Sequence, residues 1–173
     1  MVTNARSLAP KIQSMIDNFS ELDLNVAIVA ESWLKPGESL EREINDLSEG
    51  ENIGIIHKSR KTRKGRNAGG GIAILFNKTR MKLKERKIKR GNAELVCAAG
   101  KLPNHQRNVV IFGIYIPPST RAKQLRCALE LLSDGIGQAK LDYNCRNRCK
   151  FLNIDSLSHR LVVGLFIKAI QTL

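Results

Sequence analysis

The sequence predicts an α/β fold, and three observations carry that expectation. Val26–Ala30 and Ile72–Phe76 are short continuous apolar runs, which read as strands covered on both faces. Ile12, Met15, Ile16, Phe19 and Leu22 repeat at helical spacing just before the first run and read as the inward stripe of a helix. Glu94–Leu102 and Asn108–Ile116 flank the turn Pro103–Gln106 and read as paired strands.

Along the chain, Met1–Asn4 reads as the last residues of a strand whose beginning is absent. The helix that follows accepts Pro10 in its first turn, where a missing N–H costs nothing. Strand Val26–Ala30 then ends abruptly in Glu31, and a carboxylate at a strand's carboxyl end is well placed to hold a hard cation. Taken alone, the same glutamate reads as a solvent-facing strand cap. A loop through Trp33-Leu34-Lys35-Pro36-Gly37 leads to a short helix near Ser39–Leu47, with Leu40, Ile44 and Leu47 on one face. Ile53–His57 is the next strand, with His57 read as structural. The glycines Gly69–Gly71 lack the spacing and lysine of a phosphate-binding loop, so they read as residues that permit close backbone approach ahead of Ile72. Lys82–Lys89 suits an edge strand whose lysines discourage edge-to-edge pairing. After Tyr115-Ile-Pro117-Pro118, Ser119 or Thr120 caps a helix with Leu125, Leu129, Leu132 and Ile136 facing inward. Beyond Leu141 the periodicity is lost, apart from a helix or strand within Leu161–Ile170. The expected organisation is therefore one domain over residues 1–141 and a divergent tail over 142–173.

Charge is the unusual property. The chain of 173 residues carries 29 Lys and Arg against 16 Asp and Glu, a net +13. The whole excess lies between Lys58 and Arg90, where fourteen basic residues face one acid, Glu85. Such confinement points to a polyanion partner. Lys58-Ser-Arg-Lys-Thr-Arg-Lys-Gly-Arg66 has no apolar residue, so it reads as an exposed loop. The four cysteines are irregularly spaced and no secretory apolar region follows Met1, which implies free thiols in a reducing compartment, nuclear or cytoplasmic. Cys145 and Cys149 have half the makings of a zinc site but no second pair nearby. The apolar tail Leu157–Leu173 holds Arg160 and Lys168 and is too short and interrupted to span a bilayer, so no membrane partner is expected.

Four pieces in this order, Thr3-Asn-Ala-Arg-Ser-Leu8, Ala30-Glu-Ser-Trp-Leu34, Gly69-Gly-Gly-Ile-Ala-Ile74 and Ile114-Tyr-Ile-Pro-Pro-Ser119, resemble the front half of the endonuclease/exonuclease/phosphatase superfamily. The resemblance is nearest to the apurinic-endonuclease-like domain that non-LTR retrotransposons carry, and it covers residues 2 to 141. It implies a partial two-sheet α/β sandwich, a mixed sheet with flanking helices, and Mg2+-dependent cleavage of DNA phosphodiesters. By that resemblance Glu31 binds the metal, Asn4 organises the site's hydrogen bonds and Tyr115 bonds the scissile phosphate. Without it, Asn4 reads as a turn residue and Tyr115 as a core aromatic.

The family's Gly-Asp-x-Asn and Ser-Asp-His motifs do not occur in these residues. Neither Asp155 nor His159 has the neighbours to replace them. The implied chemical step is therefore crippled, because the aspartates and histidine that act on water and phosphate are missing. The expectation is a truncated or frame-shifted remnant that leaves the ancestral frame near Leu141. Its second sheet is expected to be absent, with the bare apolar face, poorly covered by the tail from Phe151, driving self-association. The alternative function is a non-catalytic module that grips DNA or RNA through residues 58–90, with Lys58, Arg60, Lys61, Arg63, Lys64 and Arg66 on the phosphates.

Overall fold

The structure, a computed structural model, describes residues 1–35, 40–47, 52–60, 69–87, 94–102, 107–116, 126, 130, 133, 134, 137, 149–154 and 161–168. Strand β1 (Val2–Asn4) leads into a 3-10 turn (Ala9–Lys11) that contains Pro10, and then into helix α1 (Ile12–Glu21). Strand β2 (Val26–Ala30) and helix α2 (Glu41–Leu47) follow, and then strands β3 (Ile53–Lys58) and β4 (Ile72–Asn77). Next come β5 (Lys82–Glu85), β6 (Glu94–Leu102) and β7 (Arg107–Ile116), and finally β8 (Cys149–Ile154) and β9 (Leu161–Lys168).

The strands form two sheets, one of four strands in the order β1-β2-β4-β3 and one of five in the order β5-β6-β7-β9-β8. The first is mixed, because β1 runs parallel to β2 while β4 runs antiparallel to both β2 and β3. Every residue of β2 is buried, as its unbroken apolar run requires. Alternation sends Ala27 and Val29 to one face, where they join Ile12, Met15, Ile16 and Phe19 of α1 and Leu40 and Ile44 beside α2. Val26, Ile28 and Ala30 face the other way, against Val96, Ala98, Val109 and Ile111 of the second sheet.

That contact corrects the expectation of a missing sheet. The apolar face expected to be bare, and to drive self-association, is covered by β6 and β7. The reason is that alternation along the hairpin supplies an inward face of its own, while β9 pairs with the far edge of β7 and β8 with β9. The tail after Leu141 thus contributes two strands, and Leu161–Lys168 takes the extended alternative. Strand β5 is an edge strand with exposed Lys82 and Lys84, as its lysines suggested.

Two expected core residues are surface residues. Leu22 caps α1 and is 58% exposed, and Leu47 ends α2 and is 40% exposed. At Leu22 the apolar spacing runs on past the last residue of α1, whereas Leu47 is itself the last residue of α2. Arg126, Glu130, Ser133, Asp134 and Gly137 are helical and exposed, and they recur as one face of the helix expected there. Its inward stripe, Leu125, Leu129, Leu132 and Ile136, lies outside the described residues, as do Pro103–Gln106, the boundary at Leu141 and Cys145. Cys97 is a free buried thiol that burial pushes up to about 12. No helix among the described residues is long and apolar enough to cross a membrane.

Gly113 sets how closely the sheets approach. A β-carbon there would stand 3.0 Å from Ile72 Cδ1 and Val96 Cγ1 and 3.1 Å from Ile28 Cγ2. Gly113→Ala is therefore expected to cost about 1–3 kcal/mol by overpacking. A urea melt checks this, and an unchanged or raised midpoint would show that the neighbouring side chains give way.

Candidate active site

One rim of the sandwich gathers the residues singled out above. Because β1 and β2 are parallel, both end there, with Asn4 opposite Ala30 and Glu31 one residue further on. Strand β4 begins at the same rim, with Ile72 opposite both Ala30 and Lys58, so Gly70, Gly71 and Arg60 arrive beside Glu31. In the second sheet Glu94 opens β6 directly opposite Tyr115 near the end of β7. Alternation places Asn4 with Val2, and Glu94 with Val96, on faces turned toward the layer between the sheets. Tyr115 belongs to that layer and is 2% exposed.

The backbone at this rim is held in an unusual shape. Arg6, Ser7, Glu31 and Trp33 have φ values of 49°, 91°, 53° and 56°, and Gly70 and Gly71 have 100° and 88°. Left-handed backbone is costly for a residue as bulky as tryptophan, and such residues cluster at functional sites. The bonds that enforce it run to both neighbours. Ser7 and Leu8 N–H donate to the carbonyls of Glu31 and Ser32 at 2.8 and 2.9 Å, while Ser32 and Trp33 N–H donate to Gly71 and Gly70 carbonyls at 3.2 and 2.8 Å. Gly71 is required here twice over, by its φ and because a β-carbon would stand 3.0 Å from both Lys58 O and Ser32 Oγ.

The charges at the rim are linked to one another. Trp33 Nε1 donates to Glu31 Oε2 at 2.8 Å, and Arg60 reaches Glu31 Oε1 at 3.7 Å. Arg60 Nε also bonds Glu94 Oε1, and Gly71 N–H donates to Glu94 Oε2 at 2.5 Å. A β-carbon on Gly70 would overlap the Arg60 guanidinium, so the glycine makes room for it. The Glu94 side chain is only 8% exposed. Burial holds its carboxyl above the usual glutamate range, a push opposed by Arg60 and the Gly71 amide and reinforced by the nearby Glu31 charge. Asn4 keeps both side-chain polar atoms buried without a hydrogen-bond partner, and so does Ser32 Oγ. An unpaired buried amide is costly, which is why it reads as a group awaiting a ligand.

The donor set does not fit a divalent metal as it stands. Glu31 and Glu94 supply the hard oxygens that magnesium prefers, yet all four carboxylate oxygens are engaged by Arg60, the indole or the Gly71 amide. Among the described residues no three His, Cys, Asp or Glu side chains form a metal-holding group.

The structure therefore brings Asn4, Glu31 and Tyr115 to one rim. Lys58 lies there too, with its Nζ 3.1 Å from Glu85 Oε1, while Arg60 faces carboxylates. Lys61, Arg63, Lys64 and Arg66 lie outside the described residues. Sequence reasoning passed over Glu94, Trp33 and Ser32 as site residues. A signal for Glu94 was present. Pairing Leu102 with Arg107 across the four-residue turn sets Glu94 opposite Tyr115.

Two sheets packed face to face, with α1 and α2 on the outer face of the mixed one, form an α/β sandwich that recurs in a solved structure. The chain is similar to the solved catalytic domain of human nocturnin with a bound sulfate anion, at a TM-score of 0.55 and 11% identity over 91% of this chain and 74% of that one. Identity that low shows the fold alone. No family model matches the chain, and no curated protein matches it.

Proposed function

We propose that this chain is a nucleic-acid-binding domain built on the frame of a magnesium-dependent DNA endonuclease of the non-LTR retrotransposon kind, and that it grips the polyanion without cutting it. The observation that carries this reading is the engagement of Glu31, the residue to which the resemblance gives the metal, by Arg60 and Trp33. No Ser-Asp-His occurs in these residues, and the nearest approach to Gly-Asp-x-Asn, Leu141-Asp142-Tyr143-Asn144, lacks its glycine. Binding is supported by the confinement of the charge excess to residues 58–90. Lys58 stands at the rim, and the Lys58–Glu85 pair is exposed enough for a phosphate to replace it. Lys58, Lys61, Arg63, Lys64 and Arg66 contact phosphates, whereas Arg60 is committed to the carboxylates. Trp33, 46% exposed at the same rim as Lys58, offers a face on which a base stacks.

Supercoiled plasmid and short DNA and RNA duplexes test this. The plasmid is expected to stay intact with magnesium or chelator, and in the Glu31→Ala variant alike. Duplex affinity should fall with a log-log salt slope of about −4 to −5 for five phosphate contacts. Replacing Lys61, Arg63, Lys64 and Arg66 together by alanine should flatten that slope by roughly 4. Nicking that needs both magnesium and Glu31 would instead establish a working endonuclease, and salt-insensitive or absent binding would end the binding reading.

A further inference from the structure

Each of the four carboxylate oxygens at the rim has a cation or an N–H donor beside it. Arg60 bridges Glu31 Oε1 and Glu94 Oε1, the Trp33 indole holds Glu31 Oε2, and the Gly71 amide holds Glu94 Oε2. The glycine at position 70 is what admits the guanidinium. We propose that Arg60 is a built-in counter-cation, locked between Glu31 and Glu94, that closes this carboxylate pair against divalent metal.

The physical case rests on what each cation needs. A guanidinium stays protonated at every working pH and presents a planar fork of donors to carboxylates, so it serves two of them in fixed geometry. A divalent ion entering between Glu31 and Glu94 would have to strip their existing donors and sit against a fixed positive charge. Glu94 adds a second constraint, because a carboxylate with an 8% exposed side chain cannot fall back on water once its partner leaves. Removing the guanidinium would leave Glu94 without its cation beside the Glu31 charge. Other hard oxygens are at hand. Asn4 keeps an unpaired amide on the same rim, and unpaired Ser32 Oγ lies close to Gly71. Arg60 thereby decides whether this rim is an ion pair or a metal site.

Manganese titrated into the full chain, with the free ion followed by its paramagnetic resonance signal, tests the proposal directly. The wild-type chain should leave the ion free, and Arg60→Lys should do the same because it keeps a positive charge. Arg60→Gln should take up manganese roughly tenfold more tightly or better. Adding Glu31→Gln or Glu94→Gln to it should return uptake to the wild-type level. Arg60→Met reaches the same end by another route, since it keeps the apolar stem of the side chain without the guanidinium, and it decides the matter where Arg60→Gln does not fold. Wild-type uptake as tight as that of Arg60→Gln would overturn the proposal. So would uptake by Arg60→Gln that survives Glu31→Gln, or a folded Arg60→Met that leaves the ion free. The titration contains no nucleic acid, so its outcome is separate from that of the binding assay, and failure of duplex binding would leave the ion-pair assignment standing.

Discussion

Glu94→Ala is expected to lower the unfolding free energy by about 2–3 kcal/mol. The Glu94 carboxylate ties the start of β6 to both Arg60 and the Gly71 amide, so one truncation removes two charge-assisted bonds. The Gly71 N–H loses its acceptor at a buried position, and Arg60 loses the nearer of its two carboxylates. Breaking a fully buried pair would cost more, but the Arg60 side chain is more than a third exposed and can recover water. Urea unfolding of Glu94→Ala beside Lys58→Ala separates the two rim pairs. Lys58 pairs with Glu85 in an exposed contact and its loss should cost less than about 1 kcal/mol. Equal effects would mean that Glu94 contributes no more than a surface charge.

The same carboxyl gives the fold a pH dependence of definite sign. Burial raises the folded Glu94 above its unfolded value, so the native state holds this proton more tightly. The stability it contributes is complete below the unfolded value of about 4.3 and is lost as pH rises through the raised folded value. Wild-type stability should therefore fall relative to Glu94→Gln across that interval. Above the raised value the difference should become constant. Urea midpoints for both proteins from acid to neutral pH provide the check, and a difference that is flat throughout would mean that Arg60 and Gly71 fully offset the burial.

Much of the fold was legible because local patterns sufficed for it. The unbroken apolar run of β2 demanded two covered faces, and it is buried throughout. The apolar stretches on either side of Pro103–Gln106 became β6 and β7 with almost the expected ends. What alternation cannot state is which sheet a strand joins. It assigns a face to β7 but not the pairing of β7 with β9, which lies some fifty residues onward in the chain. Hence the second sheet was not foreseen. The site divides in the same way. Asn4, Glu31 and Tyr115 sit at strand ends within recognisable pieces, and the structure brings them to one rim. Arg60 lay inside a run of similar cations, and nothing local distinguishes the one that meets Glu94, 34 residues away in sequence.

Phe19→Ala is expected to cost about 3–5 kcal/mol, the largest single effect argued for this chain. Phe19 is 2% exposed and sits on the face of α1 that packs against Ala27, Val29, Ala73 and Leu75 of the mixed sheet. Small side chains at 27 and 73 belong to the same cluster as the large ring, and with alanine at 19 neither side could fill the space. Leu22 is the natural control, since it lies in the same apolar stripe yet is 58% exposed, and Leu22→Ala should stay within about 0.5 kcal/mol of the wild type. The effect should also reach the rim. Ser7 and Leu8, in the segment that leads into α1, donate to the carbonyls of Glu31 and Ser32, so loosened docking of α1 removes support from the carboxylate's backbone. Hydrogen exchange should then show Ser7 and Leu8 amides losing protection in Phe19→Ala before those of β6 and β7 do. Uniform loss across both sheets would instead mean that the sandwich opens as one unit and that α1 has no separate hold on Glu31.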